Sequence, residues 1–446
     1  MDLVHWNWVI SYTSVCRAGL VSHSTMLEFR MIYFYRDSAR YPHIAEPWQR
    51  GLDVLNPSES QLQHGLELHR DALALDTFGF LPRVWTDDSI SKHNVLIDQN
   101  LGGRVAHLRS VWIQQAAAAN DANGEGGKQF RAALAASGLN GMVQTVGAAT
   151  IPGMNDLESD IAAMSGFTHT CRAFRDCMFQ AGSARELHEG KDQRRFGIVW
   201  SANSPPLPNR MMDADDELFR INIWHQLGFR LCHLTYNRRN AVADGGSEDA
   251  GLSLFGREVI AEFNRVGMIV DVPHSSKRTV LEAAKVSTKP VMSSHAGCHS
   301  LFQHHRNRTD EEIKAIAETD GVVGIVGLPS FLGDDANLNT LLDHVMHAVN
   351  LVGARHVAIG TDNLCSTERP ASVRPLPTGA FQPRWPGGWK GEKFAKGDPN
   401  EPRTGSLAWT NWPLFTVGML MRGLSDQDIR QILGLNLLRV LEAIET

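Results

Sequence analysis

"GREVIAEFNRVGMIVDVPHSS", residues 256–276, carries the unit from which the fold is read. Ser253, just upstream, can cap a helix that runs to about Arg265, and Gly267 is a suitable residue to end it, because it tolerates the left-handed turn beyond a last helical residue. The following "GMIVDV" (267–272) is short, apolar and rich in β-branched residues, as a strand buried on both faces would be. His274 stands at the end of that strand.

The same unit recurs along the chain. Candidate strands are "ALALDTF" (72–78), "MVQTVGA" (142–148), "RFGIVWS" (195–201), "RLCHLTY" (230–236), "GMIVDV", "PVMSSH" (290–295), "GVVGIVG" (321–327) and "HVAIGTD" (356–362), which makes eight. The segments between them carry helix signals. Residues 216–227 end at Gly228, and Thr309 with Glu312 and Ser425 with Asp428 have the spacing of a capping box. Alternating strands and helices imply a parallel sheet, and eight units would close a single (β/α)8 barrel; a doubly wound open sheet is the main rival. The expected organisation is an N-terminal extension over 1–65, a barrel over 66–446, and a long loop after the eighth strand. That loop, 364–412, holds seven prolines together with Trp385, Trp389 and Trp409. It reads either as a wall over the barrel mouth or as a packed excursion with no ligand role.

Composition narrows the function class. Net charge is −6, with 43% hydrophobic and 21% charged residues, which marks neither a nucleic-acid binder nor a basic membrane surface. No run approaches the roughly 20 apolar residues of a membrane span. Cys16, Cys171, Cys177, Cys232, Cys298 and Cys365 form no CxxC pair, so free thiols in a reducing compartment are expected. The expectation is a soluble, cytoplasmic protein that handles a small molecule and has no nucleic-acid or membrane partner.

Side chains at strand ends converge on one mouth of a barrel, so His274, His295 and Asp362 are the informative positions. Two imidazoles and a carboxylate suit zinc or a similar divalent ion. The His-x-Asp triplet His69-Arg70-Asp71 precedes the first strand and would point away from that mouth. His299, His304 and His305 read as solvent-facing, and His344 and His347 as surface residues of the outer helical layer.

Several blocks resemble the membrane dipeptidase (renal dipeptidase, peptidase M19) family of the amidohydrolase superfamily: "LTYNRRNAVADG" (234–245), residues 256–276, "KPVMSSHAGCHSLFQHHRNRTDEEIKAIAETDGVVGIVG" (289–327), "GARHVAIGTD" (353–362) and "RGLSDQDIRQILGLNLLRVLEAI" (422–444). The resemblance implies a (β/α)8 barrel with two zinc ions that hydrolyses dipeptides, and a homodimer. It assigns His274 and His295 to the second metal, Asp362 to the general base beside the bridging water, and Arg306 to the substrate carboxylate. The departures are systematic. The family's first strand ends in Asp-Gly-His-x-Asp-Leu-Pro; here "DTFGFLP" keeps Asp76, Leu81 and Pro82 but puts Phe78 and Phe80 at the two ligand positions. "GIVWSANSPPL" supplies no bridging glutamate, and Tyr236 replaces the histidine that steadies the oxyanion, a role a phenol could still fill. A site of His274, His295 and Asp362 holding at most one ion, or none, is therefore expected. Three readings stay open: a dipeptidase-like metal-assisted hydrolase, a barrel enzyme with altered metal-free chemistry on another carboxylate-bearing substrate, and a non-catalytic ligand-binding descendant.

Overall fold

The helix read from the opening unit spans Leu254–Val266, with the Ser253 side chain accepting from the Gly256 N–H and Gly267 in the left-handed region at φ 85°. It delivers the chain into a strand, Ile269–Asp271, shorter than the apolar run suggested. A computed structural model describes residues 40–147, 156–206, 214–246, 248–377 and 405–445. Within it the strands, in chain order, are β1 (Leu75–Asp76), β2 (Gly141–Gly147), β3 (Met178–Gln180), β4 (Phe196–Ala202), β5 (Phe229–His233), β6 (Ile269–Asp271), β7 (Val291–Ala296), β8 (Val322–Ile325) and β9 (Val357–Ile359).

All of these strands pair in parallel in the order β1-β2-β4-β5-β6-β7-β8-β9. Backbone bonds from Thr77 N to Ile359 O (3.0 Å) and from Asp362 N to Phe78 O (2.7 Å) join the first and last strands. The fold is the expected (β/α)8 barrel. β3 is an addition to the eight expected strands; it pairs only with the start of β4, from Met178 against Phe196 to Gln180 against Ile198.

One apolar residue from each barrel strand builds the interior layer: Leu75, Val143, Val199, Leu231, Ile269, Met292, Val322 and Ala358. Leu437 and Leu441, from the C-terminal helix Asn436–Glu445, pack into the same cluster and close that end. A second cluster fills the space between the strands and the outer helices. Burying such layers supplies most of the driving force, at about 25 cal/mol per Å².

From residue 42 the segment ahead of β1 is two helices, Pro42–Leu55 and Glu59–Asp71; residues 1–39 lie outside the described residues. Gly65 lets the second helix approach Trp412–Met421 closely, since a Cβ there would sit 2.6 Å from Val417 Cγ2. The same helix holds His69, fully buried, with its ring nitrogens 2.8 Å from Thr416 Oγ1 and 3.1 Å from Ser137 O. The sequence's visible His-x-Asp therefore has a structural role. Of the Pro- and Trp-rich stretch, residues 378–404, including Trp385 and Trp389, lie outside the described residues. Its end is core: residues 405–412 are buried, and Trp409 donates its indole N–H to Asp76 Oδ2 at 3.1 Å.

Candidate functional site

The barrel mouth gathers three of the expected side chains directly. His274 follows β6 by three residues and His295 lies near the end of β7; their Nε2 atoms are 3.2 Å apart. Tyr236, three residues after β5 and about half exposed at 52%, stacks its ring on His274 with centroids 4.2 Å apart. Each buried imidazole is held from its far side: Asn237 Oδ1 is 2.6 Å from His274 Nδ1, and Ser294 Oγ is 2.9 Å from His295 Nδ1. These bonds leave both Nε2 atoms facing each other. Burial, and then the positive charge of Arg306, hold both imidazoles well below the usual histidine range, so both are neutral at pH 7.

Arg306 reaches this pair from the loop after β7. It is buried at 4% exposure, donates from Nε to Pro273 O (3.1 Å) and lies 3.4 Å from Asn237 Oδ1 through a terminal nitrogen. Arg308 braces the same loop. Its guanidinium, 1% exposed, donates to Glu312 (2.7 Å) and to Ser275 O (3.0 Å), tying the Arg306 loop to the turn that carries His274.

Asp362 follows β9 at φ 51°, half-buried, and burial raises its carboxyl to about 7 against the opposing pull of Arg306. Among the described residues, no group of three or more His, Cys, Asp and Glu side chains is arranged to hold an ion. Phe78 lies between the strand-one backbone and the imidazoles, its ring 4.1 Å from that of His295 and 5.7 Å, edge-on, from Phe80. Those two positions offer no lone pair, so the residues present do not fit a paired-ion site. For a single ion the fit is partial. Two Zn–N bonds of about 2.05 Å at the tetrahedral angle put their nitrogens about 3.3 Å apart, close to the 3.2 Å between His274 and His295.

Asp76, retained from the expected strand-one motif, serves as a buried acceptor. Its Oδ1 receives the N–H groups of Phe78 (3.1 Å) and Thr361 (2.9 Å), and its Oδ2 the Thr361 hydroxyl (2.5 Å). Burial nevertheless dominates and raises the carboxyl to about 7. The unfolded value is about 3.9, so the folded state binds more protons between pH 4 and pH 7, and stability falls as pH rises through that window. Urea unfolding is expected to lose a few kcal/mol between pH 5 and pH 8 from this group. Asp76→Asn should flatten that slope whatever it does to absolute stability, and an unchanged slope would contradict the assignment.

Other histidines depart from expectation. His344 is buried, with Nδ1 accepting from the Cys298 N–H (2.8 Å) and Nε2 3.2 Å from Leu332 O, and His304 is 3% exposed. Neither faces solvent. His347 is partly buried, 2.8 Å from Asp310. A further histidine, His233 on β5, is fully buried behind the pair, with its ring 5.3 Å from His274 and 5.6 Å from His295. Its sequence signal was an imidazole inside an otherwise apolar strand.

The sequence profile of the membrane dipeptidase family (peptidase family M19) matches residues 121–374, which include Tyr236, His274, His295, Arg306 and Asp362 but not Phe78 and Phe80. The dipeptidase tcpJ of Claviceps purpurea is 29% identical over 232 residues, covering 50% of this chain and 47% of that protein. An uncharacterized dipeptidase of Schizosaccharomyces pombe, C3A11.10c, is 36% identical over 147 residues, covering 31% of this chain and 36% of that protein. The chain thus spans half, or less, of the length of these curated relatives. Among solved structures, an amidohydrolase from Pseudomonas aeruginosa superposes with a TM-score of 0.60 at 23% identity, over 85% of this chain and 98% of that one. A metallopeptidase from Rhodobacter sphaeroides, liganded with a phosphinate mimic of L-Ala-D-Ala, superposes with a TM-score of 0.55 at 18% identity, over 70% and 88%. These last two likenesses bear on the fold alone.

Proposed function

We propose that this chain, which belongs to the membrane dipeptidase family (peptidase family M19), is a dipeptidase-like hydrolase of a dipeptide or similar small amide whose metal site is reduced to one divalent ion at most. The observation that carries the reading is the pair of neutral imidazoles, Nε2 to Nε2 at 3.2 Å, walled on the strand-one side by Phe78. An ion held by His274 and His295 would polarise a scissile carbonyl and acidify its water. The remaining work falls to the chain's own groups. Arg306, fixed by Pro273 O, offers its guanidinium to a substrate carboxylate, for which a planar fork is suited. Asp362, with a carboxyl near 7, can take a proton from water and return it to the leaving amine. Tyr236, whose ring stacks on His274 at the rim, donates its phenol proton to the developing oxyanion.

A second reading, metal-free chemistry on another carboxylate-bearing substrate, is favoured by one fact: among the described residues no third His, Cys, Asp or Glu joins the histidine pair in an ion-holding group. A dipeptide panel, assayed with and without added zinc, separates the two. Cleavage that depends on zinc supports the first reading. Its absence under both conditions, together with thermal stabilisation by small carboxylates, would replace it with the second. Under either reading Arg306→Lys should raise KM, or weaken carboxylate binding, at least tenfold, equivalent to about 1.4 kcal/mol. An unchanged KM would remove Arg306 from the carboxylate site.

A further inference from the structure

Outside the barrel wall, between β3, the start of β4 and the end of the helix Asp156–Ala173, lies a cavity of about 440 Å³. Two local features place it there. Val199 belongs to the interior layer, so its neighbour Trp200 points outward, into the space between strands and helices. β3 pairs only with the start of β4 and brings Met178 and Phe179 to the cavity wall. Arg195 just precedes β4 and Met178 opens β3, whereas the mouth is built at strand ends. The cavity is therefore separate from the mouth, and no mouth residue lines it.

Its charge is one-sided. Arg172, in the last turn of the helix, Arg175 just beyond it and Arg195 all line the cavity, and no carboxylate does. Asp176, the acidic residue next in sequence, is paired with Arg131 at 3.1 Å. Arg195 is fixed in place: its Nη2 donates to Met178 O at 2.9 Å, and its guanidinium carbon lies 4.9 Å from the centre of the Phe179 ring. Two donors on this wall, Arg195 Nε and the indole N–H of Trp200, are buried without a partner among the described residues, and Trp200 is itself only 3% exposed. Buried donors without acceptors are rare in folded proteins and point to a group supplied from outside. The remaining wall is largely apolar. Burial raises the Cys171 thiol there to about 11, against the pull of Arg195, so it stays neutral.

We propose that this cavity is a second ligand site, which takes a small organic phosphate. A phosphate dianion matches three guanidinium groups that face no opposing carboxylate, and guanidinium forks suit its oxygens. The organic part lies against Met178 and Phe179, in a cavity of the size that holds a small molecule. A carboxylate brings one charge where the cluster offers three, so it is the weaker ligand. The site does not depend on the hydrolase reading.

Titration calorimetry on the purified full chain tests it, with phenyl phosphate as the probe beside inorganic phosphate and benzoate. Phenyl phosphate should bind at least about tenfold more tightly than either of the others. Arg172→Met combined with Arg175→Met should weaken that binding at least about tenfold, and Arg306→Met, at the mouth, should leave it unchanged. Arg172 and Arg175 are exposed, and their replacement spares the bond from Arg195 to Met178 O, so the double variant keeps the fold. Binding that is lost in Arg306→Met but kept in the double variant would assign the phosphate to the mouth and overturn the proposal. A parent that binds no phenyl phosphate, or binds inorganic phosphate or benzoate as tightly, would overturn it too.

Discussion

Asp362→Asn is expected to lower kcat/KM for a cleaved dipeptide by about 10²–10⁴-fold while leaving the fold intact. The substitution keeps the side-chain shape, and asparagine tolerates the left-handed backbone at φ 51° better than most residues. The backbone bond from residue 362 to Phe78 O, which helps close the barrel, does not involve the side chain. What the variant loses is a group that can exchange a proton near neutral pH. Burial raises the Asp362 carboxyl to about 7, so the basic form accumulates as pH rises through that value. The parent's kcat/KM should therefore climb between about pH 6 and pH 8, and the residual rate of the variant should not. Steady-state assays across that range check both parts; a variant with parental rate, or with the same pH limb, would show that Asp362 is not the base.

Arg308→Met should destabilise the protein by about 3–5 kcal/mol, the cost of breaking a buried ion pair and leaving one charge behind. Arg308 and Glu312 are 1% and 2% exposed and 2.7 Å apart. The same guanidinium donates to Ser275 O and to Arg306 O (3.2 Å), so it links the turn after β6 to the loop after β7. The Glu312 carboxylate in turn receives the Thr309 N–H (2.8 Å) and completes the cap of the helix Asp310–Glu318. Removing Arg308 strands Glu312 and loosens the loop that aims Arg306. Denaturant unfolding should report the stability loss, and KM should rise more than kcat falls. A loss below about 1 kcal/mol, the value of an exposed pair, would show that the pair is not buried in solution.

The barrel was legible because its signals are local. Ser253 and Gly267 mark both ends of one helix, and Thr309 with Glu312 marks the start of another, where the structure has both capping bonds. β3 was missed because three residues, Met178–Gln180, are too few for a period-two pattern and acquire strand geometry only through β4. The site was legible in part. Strand-end position placed His274, His295 and Asp362 at one mouth, but it carries no information on distance across that mouth, such as the 3.2 Å between the two histidines. Burial of His344 and His304 depends on packing that no local pattern encodes; the partners of His344, Cys298 and Leu332, are 46 and 12 residues away. His233 could have been noticed: alternation along β5 puts Leu231, in the interior layer, and His233 on one face. Trp409 sat in a stretch that reads as loop, yet its indole seals Asp76 inside the barrel wall.

The most direct test of the account is the metal content of protein purified without chelators, measured by elemental analysis beside His274→Ala. The account predicts no more than about one divalent ion per parent chain, any bound ion being lost in the variant, because Phe78 and Phe80 occupy the strand-one ligand positions. Two tightly held ions in the parent would contradict it.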